Sequence, residues 1–146
     1  MAILMLPNDI ISEVQALKVG GLDTNKLIYT IRIKVFSVLN DDGAVSTENM
    51  GYTRLCSVNM SKNRRYCVET LKNMFDKARI RINLNLLGVL VSDLEDDDYE
   101  GKCNCIVGSS DNPLFPLLSL VAEASQENKN DENHYKCKHG DFPDIA

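Results

Sequence analysis

Between Pro7 and Gly21 the apolar residues Ile10, Ile11, Val14 and Leu17 recur at the spacing of one helical face. Asn8 or Asp9 can accept hydrogen bonds from the free amides of the first turn. The Gly20-Gly21 pair can take up a left-handed stop, so a short helix is predicted. The period then changes. From Leu27 to Leu39, β-branched and aromatic residues dominate. Tyr29, Ile31, Ile33 and Val35 share one face and Arg32 and Lys34 the other, which predicts a strand. Asn40-Asp41-Asp42-Gly43 supplies turn residues, so a hairpin into Ala44–Thr47 follows. Gly51 to Met60 alternates again, with Tyr52, Arg54, Cys56 and Val58 on one side, and reads as a further strand.

Helical spacing returns between Ser61 and Ala78, where Cys67, Leu71, Met74, Phe75 and Ala78 draw one apolar stripe. Ser61 or Asn63 would cap that helix, and Lys72, Asn73, Asp76 and Lys77 would form its polar face. Arg79 to Leu86 then alternates strictly, with Ile80, Ile82, Leu84 and Leu86 inward, and predicts a strand continuing through the apolar Leu87–Val91. Ser92 to Gly101 reads as a solvated acidic loop, Lys102–Val107 as a returning strand, and Asn112–Ser125 as a last helix with Pro116 in its first turn. The resulting order is α-β-β-β-α-β-β-α. It predicts an α+β fold, a mostly antiparallel sheet of about five strands with two or three helices packed on it. Residues 1–125 form the predicted single domain. Residues 126–146 have little to bury and read as a flexible, acidic C-terminal tail.

The strand–helix–strand order of Thr30–Val38, Cys67–Ala78 and Arg79–Val91 resembles in topology the core of rhabdovirus-type matrix proteins. That resemblance implies a viral matrix-like structural protein.

The totals narrow the class. At 146 residues the chain suits one domain, and no apolar run approaches the roughly 20 residues of a membrane-spanning helix. The opening Met1–Leu6 has no basic residue before its short apolar run and does not read as a signal peptide. Ala2 and the C-terminal sequence offer no lipid-anchor motif. Five cysteines at irregular spacing leave one unpaired on any count. This points to a reducing, intracellular setting, cytoplasmic or nuclear, in which the sequon Asn59-Met60-Ser61 stays unused.

Net charge is −5, unevenly spread. Residues 26–81 carry eleven Lys/Arg against five acids, and residues 82–146 four Lys against thirteen acids. The basic set is Arg32, Lys34, Arg54, Lys62, Arg64, Arg65, Lys72, Lys77, Arg79 and Arg81. Gathered on one face, it would neutralise the phosphates of nucleic acid or a membrane surface. It could equally meet the acidic end of another copy, giving a homo-oligomer. The sequence therefore reads as a non-enzymatic binding or assembly protein with an anionic partner. The competing class is an adaptor docking a protein partner through a strand edge or helix.

Motifs for chemistry are sparse. Cys103 and Cys105 would project from one strand face, and His134, Cys137 and His139 could complete a zinc site, but their spacing fits no common module. No cofactor is expected. The glycines form no phosphate cradle, no Gly-x-Ser-x-Gly elbow exists, and both histidines lie in the tail. The acidic loop fails the calcium-loop pattern, with Asp98 where glycine is needed and Asn104 where glutamate is needed. Val89–Asp98 matches the apolar-then-acidic pattern of a SUMO-interacting strand, and Ser92 with Glu95 that of an acid-directed kinase site.

Overall fold

The computed structural model describes residues 6–33, 35–41, 44–57, 64–126 and 135–137, with the backbone alone within 36–48 and 64–68. Helix α1 (Pro7–Val19) begins where expected. Pro7 has no amide hydrogen to leave unpaired, and the Leu6 amide donates to Asp9 Oδ2 at 3.1 Å. It ends as Gly21 adopts φ 96° and the Leu22 amide turns back to the Leu17 carbonyl at 3.1 Å. Strand β1 (Ile28–Arg32) follows and pairs in parallel with the later β5 (Gly88–Ser92), Ile28 opposite Gly88 and Arg32 opposite Ser92.

Between these two strands the chain makes an excursion. Strand β2 (Val35–Asp41) pairs antiparallel with β3 (Ala44–Asn49) and with β4 (Arg64–Val68), giving the order β3-β2-β4. Helix α2 (Gly51–Leu55) lies between β3 and β4. Helix α3 (Leu71–Asn83) then leads back to β5. After β5 come β6 (Cys105–Val107), β7 (Ser110–Asp111) and helix α4 (Pro116–Ala124). Strand β8 (Tyr135–Cys137) pairs antiparallel with β6, completing a second three-stranded sheet in the order β7-β6-β8.

The chain mixes helices and strands, but no five-stranded antiparallel sheet forms among the described residues. There are instead one parallel pair and two small antiparallel sheets. Two strands read from alternation are helical. Gly51–Leu55 is α2, where Gly51 takes φ 73° and approaches the Asp96 backbone so closely that a Cβ would sit 3.3 Å from the Asp96 Cα. Arg79–Asn83 is the last part of α3, which starts only at Leu71 and leaves Cys67 in β4. Thr70 Oγ1 caps α3 by accepting from the Asn73 amide at 3.0 Å. The topological likeness to matrix proteins rested partly on a strand at 79–86 and loses that support.

One core unites these parts. Ile31, Ile33, Val35, Tyr52, Leu55, Met74, Ala78, Leu117, Leu120 and Val121 are fully or almost fully buried together. Each large aliphatic side chain among them contributes roughly 1.5–3 kcal/mol. Helix α3 sits at the centre, packing on α1, α4, β1 and β5. Within the segment read as a flexible tail, Tyr135–Cys137 is held against the domain. Tyr135 is buried with its ring 5.5 Å from that of Phe75, and Cys137 is bonded to Cys105.

Candidate functional site

The segment from Asp93 to Cys103 follows the C-terminal end of β5, the end of a parallel strand at which ligands bind in open α/β sheets. It is not the solvated loop its charge suggests. Asp96, Asp97 and Asp98 are all buried. Asp93 opens the turn in the left-handed region, at φ 65°, and a short 3-10 turn spans Leu94–Asp96.

Both oxygens of Asp97 are occupied. Oδ1 accepts from the Leu117 amide at 3.1 Å and the Asp98 amide at 2.7 Å, and Oδ2 from the Leu118 amide at 3.0 Å. Two of these donors are first-turn amides of α4, otherwise unpaired, so a buried carboxylate takes the place of a capping side chain. Asp98 is filled in the same way. Its Oδ1 accepts from the Thr53 hydroxyl at 2.9 Å and the Lys102 amide at 2.8 Å, and its Oδ2 from the Cys103 amide at 2.8 Å. Asn49 Nδ2 reaches Asp96 Oδ2 at 3.4 Å. Burial pushes the Asp97 carboxyl up, against the amides of Leu118, Leu117 and Asp98, while the neighbouring Asp98 carboxylate adds to the rise. The acids hold α2, α4 and the loop together. Exposed around them are Leu94, Tyr99, Leu114 and Phe115.

The cysteines proposed as zinc ligands are paired with other cysteines. Cys56 is bonded to Cys103, and Cys105 to Cys137. Zinc is ligated by thiolates, and a disulfide sulfur is not one, so Cys103, Cys105 and Cys137 are not ligands in this state. His134 and His139 lie outside the described residues. Two disulfides indicate an oxidising, extracellular or secreted environment, which corrects the cytoplasmic or nuclear expectation. A SUMO partner and an intracellular kinase lose their context with it. An odd cysteine count had suggested free thiols. The pairing joins sequence separations of 47 and 32, which no local spacing reveals.

The basic residues scatter into different roles. Lys77 is buried, its Nζ 2.7 Å from Glu69 Oε1. Glu69 Oε2 has no hydrogen-bond partner among the described residues, and burial raises the Glu69 carboxyl against the lowering effect of Lys77. Arg79 donates to the carbonyls of Ala124 and Gln126 at 3.2 and 3.0 Å, and Arg81 to that of Ser125 at 3.0 Å. Both guanidiniums thus cap the C-terminus of α4, where a cation offsets the unpaired carbonyls. Lys72 pairs with Asp76 at 3.7 Å on α3, and Arg32 stands 4.0 Å from Asp93. Arg54 is exposed on α2. Arg64 and Arg65 belong to β4, and Lys34 and Lys62 lie outside the described residues.

Tyr29 is a device that alternation alone could not show. Its hydroxyl donates to the carbonyls of Lys77 and Ala78 at 2.5 and 3.2 Å and accepts from the Arg81 amide at 3.1 Å. Burial pushes it up to about 12, against the opposing pull of Arg81. Tyr52, fully buried, donates to the Glu69 carbonyl at 2.6 Å, and its pKa too is raised, chiefly by burial.

No family model and no curated protein matches this sequence. Among solved structures the fold is similar to human YKL-39, described as a pseudo-chitinase with retained chitooligosaccharide binding properties. The TM-score is 0.60 at 19% sequence identity, over 80% of this chain. The chain spans 39% of that protein's length.

Proposed function

We propose that this chain is a non-enzymatic, extracellular carbohydrate-binding unit that takes a neutral oligosaccharide of the chitooligosaccharide class. The shared fold with a chitooligosaccharide-binding pseudo-chitinase is the observation that carries the reading. The chemistry of the β5 loop supports it. Glycoside hydrolysis needs one carboxyl free to give a proton and a second free to attack or activate water. Asp97 and Asp98 have both oxygens taken up by donors of the chain itself, so neither is available for such work. Two aromatic rings are exposed around this end of β5, Phe115 and the more open Tyr99, which is 48% accessible. Such a ring offers a flat apolar face to the C–H face of a pyranose, and its hydroxyl remains wet.

Electrostatic binding of nucleic acid or membrane through the basic set is the competing reading. Isothermal titration with N-acetylglucosamine oligomers at low and high salt separates the two. Salt-insensitive binding of the neutral oligomer, lost in Tyr99→Ala with an unchanged melting temperature, supports the carbohydrate reading. Binding only to polyanions or anionic vesicles, weakening as salt rises, overturns it.

A further inference from the structure

Helix α4 ends against two cations from α3. Arg79 donates to the carbonyls of Ala124 and Gln126, and Arg81 to that of Ser125, the residue just past the last helical turn. The carbonyl end of a helix carries roughly half a negative charge, so two guanidiniums exceed what it needs. The one acid of α4 does not take up the excess. Glu123 turns its carboxylate to the β6–β7 turn, where a Cβ added to Gly108 would lie 2.5 Å from Glu123 Oε2. Among the described residues Arg81 has no carboxylate partner, and of its five N–H donors one goes to the Ser125 carbonyl.

Ser125 lies beside this surplus. It is half-buried, in neither helix nor strand, and its hydroxyl donates to the Ala122 carbonyl at 3.2 Å. A cavity of about 610 Å³ has Arg81, Ser125 and Gln126 in its lining, so there is room at the hydroxyl for added atoms. The sequence meets a second requirement. Glu127, outside the described residues, stands two positions after Ser125 and gives a Ser-x-Glu spacing of the kind that acid-directed kinases read. Ser46-Thr47-Glu48 has the same spacing, but Ser46 is tied into the β2–β3 ladder opposite Leu39. The arginines at the end of α4 single out Ser125.

We propose that Ser125 is a phosphorylation site and that Arg81 and Arg79 receive its phosphate. The co-reactants are ATP and an acid-directed protein kinase of the secretory route. Ser125 Oγ attacks the γ-phosphorus and an O–P bond forms there. The bond from that phosphorus to the β–γ bridging oxygen breaks, ADP leaves, and the hydroxyl proton passes to the base of the kinase. Oγ then no longer donates to Ala122. The phosphate brings about 1.5 to 2 negative charges at neutral pH, which matches the surplus of the two guanidiniums over the helix end. Charge-assisted bonds from the arginine forks then tie the end of α4 to α3. Without those arginines the same phosphate would repel the carbonyl end of the helix. The inference stands apart from carbohydrate binding and fails separately from it.

Two experiments read the two halves. In the first, the 146-residue chain is secreted from eukaryotic cells, and a second sample is incubated with a purified acid-directed serine kinase and ATP. Intact mass and phosphopeptide sequencing should place one phosphoryl group on Ser125, absent in Ser125→Ala and largely lost in Glu127→Ala. An unmodified chain in both samples, or phosphate on Ser46 in place of Ser125, would overturn the proposal.

In the second, phosphoserine is installed at position 125 during translation and melting temperatures are compared. The phosphate should raise the melting temperature by about 3–6 °C, and a phosphatase should reverse the rise. The rise should vanish when Arg79→Gln and Arg81→Gln are combined. Each background is compared with and without phosphate, so the cost of losing the helix cap itself cancels. Should the double variant fail to fold, Arg81→Lys, which keeps the charge but not the fork, should still shrink the rise. A phosphate that lowers the melting temperature, or a rise that is the same in every arginine background, would overturn the proposal.

Discussion

Replacing Cys56 and Cys103 together by alanine removes the link between the end of α2 and the segment that follows the buried aspartates. The bond closes a loop across 47 residues of sequence. Loop-closure entropy for that length stabilises the folded chain by about 4 kcal/mol. For a domain of this size such a loss lowers the melting temperature by roughly 8–16 °C. Alanine is the right replacement at Cys103, which is fully buried, because serine would add a hydroxyl to desolvate. The assay has two parts, thermal unfolding of both proteins and thiol counting in denaturant without reductant. Two bridges use four of the five cysteines, so one thiol per chain is expected, that of Cys67, rising to five after reduction. Five free thiols in protein secreted from an oxidising compartment would refute the pairing. A double variant melting with the wild type would refute the energetic reasoning.

Lys77→Met should destabilise by about 3–5 kcal/mol, because it strands the buried Glu69 carboxylate, and adding Glu69→Leu should restore most of the loss. Chemical denaturation measures both, and a neutral single variant would show the pair to be solvated. Asp97 has a raised folded-state pKa, so its contribution to stability is full below the ordinary carboxylate range and lost as pH rises through the raised value. Asp97→Asn should therefore flatten the dependence of stability on pH above about 4 while lowering stability overall, since its NH₂ group faces amide donors. An unchanged slope in a pH series of melts would refute this assignment. Finally, the oxidising setting makes Asn59-Met60-Ser61, outside the described residues, eligible for an N-glycan. Secretion from a eukaryotic host should give a mass shift removed by a glycosidase, and no shift would show the sequon to be unused.

What was legible in the sequence was whatever depended on local periodicity with clear punctuation. Helix α1 between Pro7 and Gly21, the hairpin around Asn40–Gly43, strand β5 and helix α4 starting at Pro116 all carry both signals. Where two periods overlapped, the reading failed. Ile80, Ile82, Leu84 and Leu86 alternate perfectly, yet Leu71, Met74, Phe75, Ala78 and Ile82 also keep an unbroken helical stripe. The helix won because Thr70 caps it and because Arg79 and Arg81 find carbonyl partners at the end of α4. Those partners lie more than forty residues away and leave no local trace. Ser92–Gly101 was read as a loop, but its character was misread. Charge density implied solvent, whereas Asp96–Asp98 are buried where the side chains of Asn49 and Thr53 and the backbone amides of Lys102, Cys103, Leu117 and Leu118 converge on them.

That burial alters what the charge asymmetry means. The block from residue 82 onward has thirteen acids, but Asp96, Asp97 and Asp98 contribute little to the surface field because they are enclosed and hydrogen-bonded. The basic block likewise loses Lys77 to Glu69 inside the core, and Arg79 and Arg81 turn toward the carbonyl end of α4. Formal charge along a sequence therefore overstates the opposition between the two surfaces. Only charges facing solvent act at the distances over which partners approach, and even those are screened within about 8 Å at physiological salt. Much of the +6 and −9 separation is consumed in holding α2, α3, α4 and the β5 loop in register. A neutral ligand at the end of β5 needs none of it. Raising salt should then leave oligosaccharide binding intact even where it weakens contacts between copies.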